Sequence, residues 1–147
     1  MAIWDWALEA YGRPGVSEAC LALQDQHGQN VPLLLWAVWA EADDAALLAR
    51  AAETARRWSA LAVEPLRTVR RELKAACPPV DDGAREALRE DVKAAELRAE
   101  RLLLETLAGL SRGHGGAPAL AALQAASVAW GRPAPARDLA VLAQALG

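Results

Sequence analysis

Phenylalanine is absent from this chain of 147 residues, tyrosine and methionine each occur once, and histidine and cysteine each occur twice. β-Branched residues are also few, so little in the sequence favours strands, while alanine and leucine, both strong helix formers, dominate. Two thiols without Cys-x-x-C spacing specify neither a disulfide framework nor a zinc site, and Cys20 and Cys77 are expected to be reduced and buried. No apolar run reaches the ~18 residues that a membrane span needs. A basic excess is missing too: the formal charge is −3 and the pI about 5.4, which argues against a general nucleic-acid binder.

The chemistry-bearing motifs are equally sparse. His27 and His114 have no His-x-x-x-His or Asp-rich companion, so no metal site is expected. The serines lack a nucleophile elbow, and Cys20 sits in an apolar helical pattern that raises a thiol pKa. The Gly-rich turn at residues 111–116 lacks the Lys-Ser/Thr ending of a phosphate-cradling loop. From these gaps no catalytic residue and no cofactor are expected. The N-terminal stretch MAIWDWALEAYG lacks a basic n-region and a long apolar core, so a cytoplasmic location is expected by default.

What is present is hydrophobic mass, 54% of the residues, enough for one core. Its centre is residues 31–42, VPLLLWAVWAEA, apolar around nearly the whole helical circumference, as a helix surrounded by others must be. The chain is therefore expected to be all-α: a single domain over residues 1–147, an irregular bundle of about six helices around a buried central helix at 31–42.

Local signals punctuate the rest. A short helix over residues 3–11 puts Trp4 and Trp6 on opposite sides, one of them exposed. Ser17 reads as an N-cap for a helix ending at Gly28, and Asn30 as the cap of the central helix, with Pro32 in its first turn. Asp43 and Asp44 cap a further helix whose apolar face runs Leu47, Ala51, Thr54, Trp58, Leu61, and Pro65 predicts a bend near residues 62–64. A Pro-rich linker precedes a long helix from about Asp82, with Leu88, Val92, Ala95, Ala99, Leu102, Leu103, Thr106 and Leu110 facing inward. Two more helices follow Pro118 and Pro135, the last leaving Val141 partly uncovered, a surface that a symmetric dimer would cover.

Two groups of residues stand out. Arg70 falls on an inward helical face, and a buried guanidinium needs a carboxylate, so it should pair with Glu96 or, second, Asp25. With Gln24 these residues make either a structural polar network or an anion-binding pocket. Arg67, Arg71 and Lys74 form a basic flank, with Trp58 near enough for stacking. This flank is either a solvated surface neutralised by neighbouring glutamates or a second contribution to an anion site.

The segments W-x-W-A-L-E-x-Y, P-G-V-S-E-A-C-L-A-L-Q-D-x-H-G-x-N-V-x-L-L-L-W and R-R-W-S-A-L-A-V-E-P-L-R-x-V-R-R-E-L-K resemble a bacterial family of small helical proteins of unknown function. The resemblance covers about residues 4–100 and rests chiefly on Cys-Leu-x-Leu-Gln-Asp at residues 20–25. It implies a compact cytoplasmic helical domain and carries no activity. Taken together, these features favour a protein-interaction or adaptor module with another protein as partner, with a small-molecule binder or enzyme at Gln24, Arg70 and Glu96 as the alternative.

Overall fold

The computed structural model describes residues 1–147 and contains only helices and their connections. They are α1 (Ile3–Tyr11), α2 (Val16–His27), α3 (Val31–Trp39), α4 (Ala45–Trp58), a π-helical turn (Ser59–Val63), α5 (Glu64–Glu72), α6 (Asp82–Ala108), α7 (Ala119–Trp130) and α8 (Ala136–Leu146). Because α4, the π turn and α5 are continuous, the chain makes seven helical rods, close to the six expected from the pattern. No helix is long and apolar enough to cross a membrane.

The chain divides into two compact units, Met1–Ala55 with Leu104–Gly147, and Arg56–Leu103. In the first unit α3 packs chiefly on α7, with α1 and α2 against it as well, and α8 packs on α2 and α7. Residues 31–37 of α3 are all buried, in keeping with their all-round apolarity. Each fully buried leucine there contributes roughly 1.5–3 kcal/mol. Asn30 caps the helix as expected, its side chain accepting the Leu33 N–H at 3.0 Å, with Pro32 in the first turn.

This central helix ends at Trp39 rather than at residue 42. The N–H groups of Glu41 and Ala42 turn back onto the carbonyls of Val38 and Ala37, a Schellman arrangement that satisfies the last turn. That closure needs a left-handed residue, and Glu41 takes φ 49°, where glycine is usual.

A second closure device joins the turns at the other side of the same unit. Gln29 is buried, donates to the carbonyls of His27 (3.0 Å) and Arg132 (2.6 Å), and accepts from Ser127 Oγ (2.8 Å). Ser127 Oγ in turn accepts the Ala134 N–H at 2.8 Å, and Trp130 Nε1 donates to the Gly28 carbonyl at 2.8 Å. Every polar atom on this short path finds a partner, so the turn after α2 and the turn after α7 are locked together.

Several faces differ from their periodicity. Helix α2 starts at Val16 behind a left-handed Gly15, and Ser17 is exposed rather than capping. Helix α4 buries Leu48, Ala51, Ala52 and Ala55, while Leu61 is exposed. An alanine-rich helix has no steep apolar stripe, so close approach of small side chains sets the buried face. Trp4 and Trp6 are both half-buried, and Cys77 is exposed. At Pro65 the helix continues without a break, through a π turn in which the Glu64 N–H reaches back five residues to the Ser59 carbonyl. The wider turn accommodates a ring that cannot donate and would press on the preceding turn. Helix α8 buries Leu139, Leu142 and Leu146 and leaves Val141 exposed, as its pattern indicates.

Candidate functional site

The second unit carries the cluster of charges singled out in the sequence. It pairs the π turn and α5 with residues 82–103 of α6, and α5 itself contains no buried residue. Its buried positions are Ser59, Val63, Arg85, Glu96, Ala99 and Leu103. Two of these carry charge, so each must be satisfied by specific partners.

Glu96 is only 8% exposed and accepts from two arginines of α5. Arg70 Nε donates to its Oε2 in a short contact and Arg70 Nη2 to its Oε1 at 3.4 Å, while Arg67 Nε reaches Oε1 at 3.2 Å. Arg67 Nη2 also bonds Glu100 Oε1 at 3.2 Å. The spacing explains the geometry: Arg67 and Arg70 are three apart and Glu96 and Glu100 four apart, so each pair projects from one face of its helix. The antiparallel register then brings the two faces together. Burial pushes the Glu100 carboxyl above its ordinary value, against the opposing pull of the Arg67 guanidinium.

Further contacts extend the seam. Trp58 Nε1 donates to the Ala99 carbonyl at 2.8 Å. Arg85 donates to the Leu73 carbonyl in a short contact and to Asp82 Oδ1 at 2.9 Å, and the Asp82 hydrogen bond holds the guanidinium still more firmly protonated. Beside Arg70 lies an open cavity of about 460 Å³ lined by Arg70, Glu90, Lys93, Ala94, Glu96, Leu97 and Glu100.

Of the residues marked in the sequence, Arg67, Arg70 and Glu96 therefore come together, and Trp58 joins the same helix pair. Arg71 and Lys74 lie on the exposed side of this unit. Gln24 and Asp25 belong to α2 in the first unit, where the Gln24 amide donates to Asp25 Oδ1 at 3.4 Å at an exposed position. The inward stripe expected on α6 holds in part: Ala99 and Leu103 are buried, whereas Leu88 and Leu102 are exposed and Arg85 and Glu96 are buried beside the stripe. Arg85 and Glu96, with their partners, share the contact line with Ala99 and Leu103, and Leu88 and Leu102 lie on its flank.

The sequence reading missed a second cluster, in the first unit. His114 Nδ1 lies 2.8 Å from the Trp39 carbonyl and 3.5 Å from Glu41 Oε1, and its ring meets Trp39 edge-on at 5.5 Å between centroids. Gly115 and Ala117 donate to the carbonyls of Ala40 and Glu41, and a Cβ on Gly115 would collide with the Glu41 carbonyl oxygen. Glycine at 115 is the one local signal for this close approach. A cavity of about 360 Å³ opens here, lined in part by Trp6, Arg13, Trp39, Glu41 and His114. No three side chains of His, Cys, Asp or Glu anywhere in the chain stand together as metal ligands.

Compared with known proteins, residues 2–107 match a family described as "Protein of unknown function (DUF2390)". The match spans well over half of the chain, and the chain belongs to that family. It includes the whole second unit and stops within the last turn of α6, before α7 and α8. No curated protein and no solved structure is significantly similar to the chain.

Proposed function

We propose that the protein is a non-catalytic protein-interaction module whose binding surface is the apolar flank of its second unit. The observation that carries this reading is the exposure of Val69, Leu88 and Leu102, at 45%, 52% and 51%, beside a seam whose charges are paired internally. Exposed leucines are ordinary singly, but these are brought together by one helix pair, and a contiguous apolar patch beside polar residues is a mark of an interface. The other proposed reading, an anion-binding pocket or enzyme site at Gln24, Arg70 and Glu96, draws less support. Arg67 and Arg70 already spend their donors on Glu96 and Glu100, and the Arg70 cavity has three glutamates against one arginine and one lysine. An anion entering it meets a net negative lining. A bacterial cytoplasm as the setting fits the exposed thiol of Cys77, which a reducing compartment preserves.

A photoreactive amino acid placed in turn at positions 88, 102 and 97 of the full chain tests the reading in cells. Leu97 is as exposed as the other two but lines the Arg70 cavity on the opposite flank. Products of discrete mass from positions 88 and 102, without them from 97, are expected. Absence of any product, or equal yields from all three, contradicts the reading.

A further inference from the structure

We infer that the α6 flank formed by Leu88, Ala95 and Leu102 is covered by the same flank of a second copy of this chain, packed antiparallel about a two-fold axis near Ala95. The inference rests on the interaction reading and names its partner.

The three residues are spaced by seven, so successive members shift by only ~20° around the helix and make a straight, slowly winding seam. In an antiparallel pair of helices, residues displaced in the same sense from the contact line fall on one side of both. The contact line here is fixed by the Arg70 and Glu96 pairing. Leu66, Val69 and Leu73 of α5 therefore lie on the same side as Leu88, Ala95 and Leu102 of α6, and the patch is two helices wide. Leu88 and Leu102 are half exposed, and Ala95 between them is intermediate. A small residue at the centre lets two helices approach closely while the leucines at either end interdigitate.

The pattern is self-complementary. A two-fold axis at Ala95 sets Leu88 of one copy against Leu102 of the other. Asp91 and Arg98 border the stripe, four residues before and three after its centre; both are exposed, and neither forms an ion pair within the chain. Antiparallel packing places Asp91 of each copy beside Arg98 of the other, giving two symmetric ion pairs. Parallel packing would put the charged residues of the two copies on opposite sides of the contact line and form neither pair. Charge thus selects the orientation, as it does at many specific interfaces. By contrast, α8 offers Val141 as its one large exposed apolar residue. Leu88 and Leu102 are the large exposed apolar residues that each α6 brings to the seam, so the association is weak and concentration-dependent.

Sedimentation equilibrium of the full chain from about 1 µM to about 1 mM covers the range of such an affinity. The expected result is a weight-average mass that rises from 15.6 kDa toward twice that value. Asp91→Arg and Arg98→Asp should each weaken association about tenfold or more, and the double exchange should restore it. Both positions are exposed, so circular dichroism should be unaltered. In a Cys77→Ser background, Ala95→Cys should form a disulfide-linked dimer on mild oxidation, because the two-fold axis brings that position to itself. A mass fixed at 15.6 kDa throughout, or single charge reversals that associate like the wild type, would overturn the inference. The in-cell products separate this failure from that of the wider reading. A product with a different protein at positions 88 and 102, from a chain that stays monomeric, overturns the second copy and leaves the interaction surface standing; no product at all overturns both.

Discussion

The two units are built from the same residue types, helical and rich in alanine and leucine, yet they are held by different forces. In the first, α3 is buried on every side, and the buried polar residues are Gln29 and Ser127, both neutral and both satisfied. In the second, α5 buries nothing fully, and Arg85 and Glu96 are among the few buried residues. Burial of apolar surface is non-directional and tolerant, whereas an ion-paired seam depends on geometry and on the charge state of its members. The difference teaches which part of the molecule is free to do something. Where Arg85 and Glu96 take part of the contact line, Leu88 and Leu102 are left on the flank, and that flank is the surface proposed above for a partner.

The comparison can be broken most severely in the first unit. Leu34→Ala in α3 removes a side chain that is 1% exposed and should cost about 2–5 kcal/mol in urea denaturation. Truncation at the flank of the second unit, Leu88→Ala, should cost less than about 0.5 kcal/mol by the same measurement. Equal losses would erase the distinction between core and flank.

In the second unit the order of effects depends on which ion is removed. Glu96→Ala removes the carboxylate shared by Arg67 and Arg70, whose side chains are 16% and 24% exposed, and should destabilise by about 2–3 kcal/mol. Arg70→Met leaves Glu96 with Arg67 and an apolar chain of similar length, and should cost about 1 kcal/mol or less. Thermal midpoints of the two variants decide the order, and a reversed order would mean that the arginine rather than the glutamate organises the seam.

A smaller effect sharpens the same point. Burial raises the Glu100 pKa above the ordinary 4.5, so the folded chain holds that proton more tightly than the unfolded chain. The contribution of Glu100 to stability therefore falls as pH rises from about the ordinary value through the raised one, and the whole penalty is present above it. Glu100→Gln should flatten that part of the curve of melting temperature against pH. An unchanged slope would remove Glu100 from the account.

The smallest change is chemical. Burial pushes the Cys20 thiol up to about 12, while Cys77 is exposed. A thiol reagent at pH 8 should modify one equivalent in the native chain, at Cys77, and a second only on unfolding. Two fast equivalents would show that α2 opens readily.

Much of this was legible in the sequence where the cause is local. Asn30 announces a cap because its acceptor and the Leu33 donor are three residues apart, and Val31 onward announces burial because no face is polar. Arg70 was legible as a guanidinium needing a carboxylate, with Glu96 the first choice, because an arginine on an inward face has few other solutions. The rest depends on contacts that periodicity does not carry. Gln29 finds Ser127 and Arg132 about a hundred residues away, and His114 meets Trp39 across a similar gap. On α6 the inward stripe held at Ala99 and Leu103 but not at Leu88 and Leu102, because Arg85 and Glu96 share the contact line through hydrogen bonds that only the paired helices supply. On α4, alanines gave no stripe steep enough to fix the face.

Native-state hydrogen exchange of the wild type and Glu96→Ala, followed residue by residue, tests most directly the claim that the second unit is held by its ion-paired seam. The account predicts that amides of α5 and of residues 82–103 lose protection in the variant, while Leu33 to Ala37 in α3 keep theirs. Loss spread evenly over both units, or no loss in α5, would contradict it.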